Sequence, residues 1–122
     1  EAVAERRRAL GVDVIQDPAG ADATPSPVES FEELGVLPFW LLGALHSQEV
    51  YEPTALQAQS LPITLAGQNL VGIARPGSGQ DVAYMTHAAV HAEEQAPLKP
   101  DDPGPIALIL VPTQEAAAKV AE

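Results

Sequence analysis

Ala74-Arg75-Pro76-Gly77-Ser78-Gly79-Gln80-Asp81 is the stretch of this 122-residue chain whose residue types and spacing point most directly to chemistry. An apolar run, Leu70 to Ala74, leads into a glycine loop and then into residues that favour a helix. That layout turns consecutive backbone N–H groups toward an anion, most naturally a phosphate. A loop built for a nucleoside triphosphate follows its last glycine with Lys, which reaches the β- and γ-phosphates, and with Ser or Thr, whose hydroxyl holds magnesium. Here those two positions are Gln80 and Asp81. Gln80 brings no charge and Asp81 brings the wrong one. A carboxylate about 4 Å from a phosphate oxygen costs on the order of 4 kcal/mol per unit charge at a near-surface dielectric, which is about three tenfold steps of affinity. Pro76 removes one more backbone donor. The expectation is a cradle without its cation, in which Asp81, in the first helical turn, satisfies the helix N-terminus in place of a phosphate.

Other groupings say less. His87 and His91 stand four apart, the spacing that sets two imidazoles on one helix face. No third ligand is near in sequence, Glu93 and Glu94 are the local acids, and two surface or half-buried imidazoles are the simpler reading, so no metal is expected. His46-Ser47 has no acid in a recognisable arrangement for nucleophilic catalysis, and Asp101-Asp102 reads as solvated loop charge. Arg6-Arg7-Arg8 suits a contact with RNA or an acidic protein, weakened by Glu1 and Glu5.

The elements that must position the loop follow from apolar spacing and from the breakers. Glu1 to Leu10 favours a short charged helix. Gly11 to Ser30, punctuated by Pro18, Pro25 and Pro27, reads as an extended arm, either a surface tail or a strap that docks on a partner. Pro38 to Leu45 fits a helix with proline in its first turn and Trp40 in the core. Glu52 to Gly67 fits a second, capped by Thr54, bent by Pro62, ended by Gly67, with Leu56, Leu61 and Leu65 on its buried face. Leu70 to Ala74 and Ile106 to Val111 read as buried strands, the helices from Gln80 to Gln95 and from Gln114 onward follow them, and Ala96 to Gly104 is a surface loop. Strand, helix, strand, helix predicts an α/β domain with parallel strands and flanking helices.

Composition narrows the function. The length suits one domain, here residues 31–122 behind a charged and proline-rich segment, residues 1–30. Seventeen acidic against 6 basic side chains give a net charge of -11, which disfavours RNA or DNA as an independent partner. With no cysteine, disulfides and thiolate metal sites are excluded. No apolar run approaches the roughly 18 residues of a membrane span, so a soluble protein is expected. The chain begins with Glu1, which leaves processing and an organellar address open.

Four stretches taken together resemble a known family. Ser30-Phe31-Glu32-Glu33-Leu34-Gly35, then Glu52-Pro53-Thr54-Ala55-Leu56-Gln57-Ala58-Gln59-Ser60-Leu61-Pro62, then Leu70 to Gly79 and finally Ile106 to Ala117 follow the order and spacing of the first RecA-like domain of a DEAD-box RNA helicase. The resemblance covers about residues 28 to 122 and implies a partial RecA-like P-loop domain with an incomplete sheet. It also implies that Phe31 packs on an adenine, that Gln57 bonds the adenine edge, and that Thr54 is the signature threonine. The glycine and aromatic that open that signature in the family are Glu49 and Val50 here, with Tyr51 one place on. Of the family's phosphate loop, A-x-T-G-S-G-K-T, Ala74, Gly77, Ser78 and Gly79 match, while Pro76, Gln80 and Asp81 replace Thr, Lys and Thr. Of P-T-R-E-L-A, which touches the RNA backbone, Pro112, Thr113 and Glu115 match, and Gln114 and Ala116 do not. The D-E-A-D box, the S-A-T motif and the second domain with its arginine fingers are not in this sequence, so ATP hydrolysis has no carriers in it.

Two readings result. In the first, this is a degenerate DEAD-box-like domain with no cofactor, inactive as an enzyme, serving as a structural or protein-binding subunit of a larger assembly. In the alternative, it is the N-terminal fragment of an ATP-dependent RNA helicase that binds ATP with magnesium, and RNA, weakly. The resemblance implies nucleus or cytoplasm.

Overall fold

The structure is a computed structural model and describes residues 1–20 and 23–122. Among the described residues five α-helices follow one another: α1 (Ala2–Leu10), α2 (Phe39–Ser47), α3 (Ala55–Leu65), α4 (Gln80–Glu93) and α5 (Gln114–Ala121), with a 3-10 turn at Glu32–Leu34 before α2. None of them is long and apolar enough to cross a membrane.

The parallel α/β fold expected from the sequence is not present. Among the described residues there is no strand and no sheet. Residues 70–74 and 106–111, both read as buried strands, form no ladder and lie open: Val71 is 92% exposed, Ile73 86%, Leu108 74% and Leu110 84%. A continuous apolar run becomes a strand only where neighbours take up its backbone N–H and C=O groups on both sides. These two runs do not pair with each other, and none of the other described residues lines up beside them.

The helices form for reasons visible in the chain. Thr54 caps α3 through a capping box: its Oγ1 accepts from the Gln57 N–H at 3.4 Å, and the Gln57 Oε1 accepts from the Thr54 N–H at 3.0 Å. Gly11 closes α1 in the left-handed region, φ 66°, with its N–H on the Arg8 carbonyl. Thr113 opens α5 by accepting from the Ala116 N–H at 3.1 Å. Helix α2 buries Leu41 and Leu45, one turn apart. That single stripe leaves Trp40 on the outer face, 53% exposed, and not in the core where its size suggested it.

The core is small. Phe31, Leu45 and Leu61 meet at its centre, with Leu34, Leu37, Leu42, Val50, Leu65 and Val82 packed around them. Helices α3 and α4 pack on one another, and α4 contributes the buried Thr86 and Val90. Residues 25–28 of the proline-rich arm, read as a tail or as a strap on a partner, lie against α3 of their own chain, and Pro27 is fully buried.

Candidate functional site

An open cleft of about 580 Å³ lies between the segment that enters α3 and the glycine loop that enters α4. Thr54, Gln57, Gly77 and Gly79 line it, together with Glu49, Val50, Tyr51, Glu52 and Val82. Its geometry comes from α3. The Thr54 hydroxyl donates to the Ser78 carbonyl at 2.7 Å, and the Gln57 Nε2 donates to the Gly79 carbonyl at 3.0 Å. Two carbonyls of the loop are thus held by two side chains of the signature helix. Gly79 has no substitute there: its φ is 77°, and an added Cβ would stand 2.2 Å from the Gln57 amide nitrogen.

The loop closes on itself. The Arg75 carbonyl accepts from the Ser78 N–H at 3.2 Å, from the Ser78 hydroxyl at 2.5 Å and from the Gln80 Nε2 at 3.0 Å. Gln80, at the position of the phosphate-binding lysine, therefore turns back to the loop's own backbone. Gly79 precedes α4 as its cap residue, and no side chain caps that end. Asp81, expected to satisfy the helix N-terminus, does otherwise. It is the second residue of α4, two places past the cap position, and its Oδ1 accepts from the Tyr84 hydroxyl, three residues on, at 2.7 Å.

That hydrogen bond to Asp81, with burial and the carboxylate charge adding to it, raises the Tyr84 phenol above its usual range. Because the pKa is raised in the folded chain, the contact is fully present below the ordinary phenol range and is lost as pH rises through the folded value. In an alkaline absorbance titration Asp81→Asn should bring the ionisation of Tyr84 to lower pH; a Tyr84 transition that does not move on that substitution would contradict the assignment.

Among the residues singled out from the sequence, Thr54, Gln57, Gly77 and Gly79 come together in the cleft, and Ser78 joins through its carbonyl. Phe31 does not line it. Its ring is 1% exposed and packs with Leu45 and Leu61. Pro112 and Thr113 stand at the start of α5, where Thr113 is spent as a cap. His87 and His91 stack at 6.3 Å on α4, and among the described residues no three His, Cys, Asp or Glu side chains group as a metal site would need. Arg6 pairs with Glu29 at 3.5 Å and Glu33 at 3.8 Å, and Arg7 donates to Gln59 and to the Thr24 and Pro25 carbonyls.

Sequence reasoning did not place Glu49, Tyr51, Glu52 and Val82 at the cleft. Glu49 holds a left-handed backbone, φ 60°, which a glycine would adopt at lower cost. Tyr51, 60% exposed and 5.5 Å from the His46 ring, is the aromatic that faces the cleft. The signal was the one-place shift of the aromatic from 50 to 51. With Glu49 and Glu52 on the rim and no Lys or Arg among the lining residues, the cleft is electrostatically negative.

The sequence also matches known proteins. The family model for DEAD/DEAH box helicases matches residues 54–122. The chain is 42% identical over 102 residues to the putative DEAD-box RNA helicase HEL64 of Trypanosoma brucei brucei, a match covering 83% of this chain and 18% of that protein. It is 44% identical over 96 residues to the ATP-dependent RNA helicase p62 of Drosophila melanogaster, covering 79% of this chain and 13% of the relative. With the ATP-dependent RNA helicase dbp2 of Aspergillus clavatus the identity is 45% over 96 residues, covering 79% and 17%. The chain thus spans less than a fifth of the length of each of these relatives.

Proposed function

Since the chain belongs to the DEAD/DEAH box helicase family, we propose that it is a member domain that neither holds nor hydrolyses a nucleoside triphosphate and acts through protein contacts, as a structural or docking component of a larger assembly. The closure of the glycine loop carries this reading. Where a lysine would reach out to phosphates, the Gln80 amide reaches inward to the Arg75 carbonyl, and the next residue is an acid. The residues present do not fit magnesium triphosphate: no cation lines the cleft, Glu49 and Glu52 rim it, and no hydroxyl stands at position 81 to hold a metal. The exposed apolar runs at 70–74 and 106–111 support the second half of the proposal, because such surface is typical of chains that meet another protein.

One observation favours a second reading. The relatives are named as RNA helicases, and the match is confined to 13% to 18% of their lengths. On that reading the chain is the N-terminal part of an ATP-dependent RNA helicase, with ATP and magnesium resting on Gln57 and the loop amides and RNA touching the Pro112-Thr113 turn. Titration of ATP with magnesium against the purified chain, followed calorimetrically, separates the two. The first expects no heat of binding at micromolar protein; a micromolar dissociation constant would overturn it in favour of the second.

A further inference from the structure

Pro62 lies inside α3 and has no N–H, so the Ala58 carbonyl one turn back loses its helical donor. Ala58 is buried, and an unpaired carbonyl there would be costly. The donor comes from the arm: the Val28 N–H reaches the Ala58 carbonyl at 3.0 Å. An apparent defect of the helix is therefore the point at which the arm is received.

The next residue of the helix makes the second tie. The Gln59 Oε1 accepts from the Arg7 Nε at 2.8 Å, and the Gln59 Nε2 donates to the Pro25 carbonyl at 2.9 Å. The Arg7 Nη2 completes the ring by donating to the Thr24 carbonyl at 2.9 Å and to the Pro25 carbonyl at 3.0 Å. One guanidinium thus joins α1, the arm and α3, a task for which its fixed fork of donors is suited and an ammonium is not. On the same helix, Thr54 and Gln57 grip the carbonyls of Ser78 and Gly79. Helix α3 is held from one side at residues 58 and 59, and it holds the glycine loop through residues 54 and 57.

We propose that α1 and residues 24–28 form an intramolecular brace that sets the position of α3 and, through it, of the glycine loop, with Arg7 and Val28 as positioning residues. The brace works whether or not the loop takes a nucleotide, so it stands apart from the functional reading above. A partner that lifts the N-terminal segment loosens Ser78 and Gly79, far along the chain from where it binds.

A double-mutant cycle on the full chain tests this. Val28→Pro deletes the donated N–H, and Pro62→Ala returns to the helix its own donor for the Ala58 carbonyl. The readout is hydrogen exchange of the Gln57 side-chain amide, whose nitrogen is bonded to the Gly79 carbonyl, followed by NMR. Val28→Pro should speed this exchange about tenfold, the loss of one net hydrogen bond, and Arg7→Ala at least as much, since it removes three. Arg8→Ala should leave it unchanged, since among the described residues that side chain bonds only the Ala4 carbonyl of its own helix. In the Pro62→Ala background the effect of Val28→Pro should shrink to within about twofold, as a shared partner requires. Should Arg7→Ala fail to fold, Arg7→Lys, which keeps the charge and loses the fork, should give an intermediate rate. Exchange of the Gln57 amide that does not respond while the arm becomes protease-sensitive, or an equal effect of Val28→Pro in both backgrounds, overturns the proposal.

Discussion

Gly79→Ala should destabilise the chain by about 2–4 kcal/mol, combining a left-handed backbone that alanine disfavours with loss of a buried side-chain hydrogen bond. The reason is specific to the site. The new Cβ would fall 2.2 Å from the Gln57 amide nitrogen and 3.2 Å from the Thr54 methyl, so Gln57 must leave the Gly79 carbonyl or the loop must move off α3. Gln57 is 1% exposed, so its amide cannot leave the Gly79 carbonyl without giving up a buried hydrogen bond. Gly77 provides the control. Its φ is 81° and nothing lies within 4 Å of the Cβ position, so Gly77→Ala should cost only the backbone term, about 1–2 kcal/mol. Urea denaturation of the two variants compares them directly, and equal midpoints would show that the Gln57 contact contributes nothing.

The largest effect on binding is expected from restoring the charges. Gln80→Lys with Asp81→Thr removes one anion, adds one cation and returns a hydroxyl at the metal position, and affinity for magnesium ATP should rise about a thousandfold, on the order of 4 kcal/mol. The substitution also frees the Arg75 carbonyl from the Gln80 amide, so the loop opens as it gains charge. Calorimetric titration of parent and variant reads the ratio. If a folded double variant binds no better than the parent, electrostatics is not what closed the cradle, and Pro76 with the remaining Ser78 bonds to the Arg75 carbonyl must be responsible.

What could be read from the sequence was local. Thr54 announces its capping box because a threonine three residues before a glutamine needs nothing from elsewhere to form one. The glycine loop announces its turn for the same reason. The strands failed because they are not local: Leu70 to Ala74 and Ile106 to Val111 have strand composition, but pairing is a property of neighbours, and the described residues contain none for them. Trp40 failed through direction: residue size said that it should be buried, yet only the register set by Leu41 and Leu45 decides which face of α2 is inside. Phe31, which the family resemblance sets on an adenine, lies between Leu45 and Leu61. Pro62 was legible as a bend and illegible as a docking point, since the partner of its orphaned carbonyl lies 34 positions earlier, at Val28.

The brace also settles what the chain presents to distant molecules. Arg6 and Arg7 are engaged within the chain, the one with Glu29 and Glu33, the other with an amide and two carbonyls, so neither guanidinium can reach out to a phosphate without giving up those contacts. A Debye length away, about 8 Å at physiological ionic strength, the net charge of -11 sets the sign of the field. Diffusional encounter is accordingly biased before any contact is made: basic molecules are drawn in, polyanions are slowed, and added salt weakens both biases.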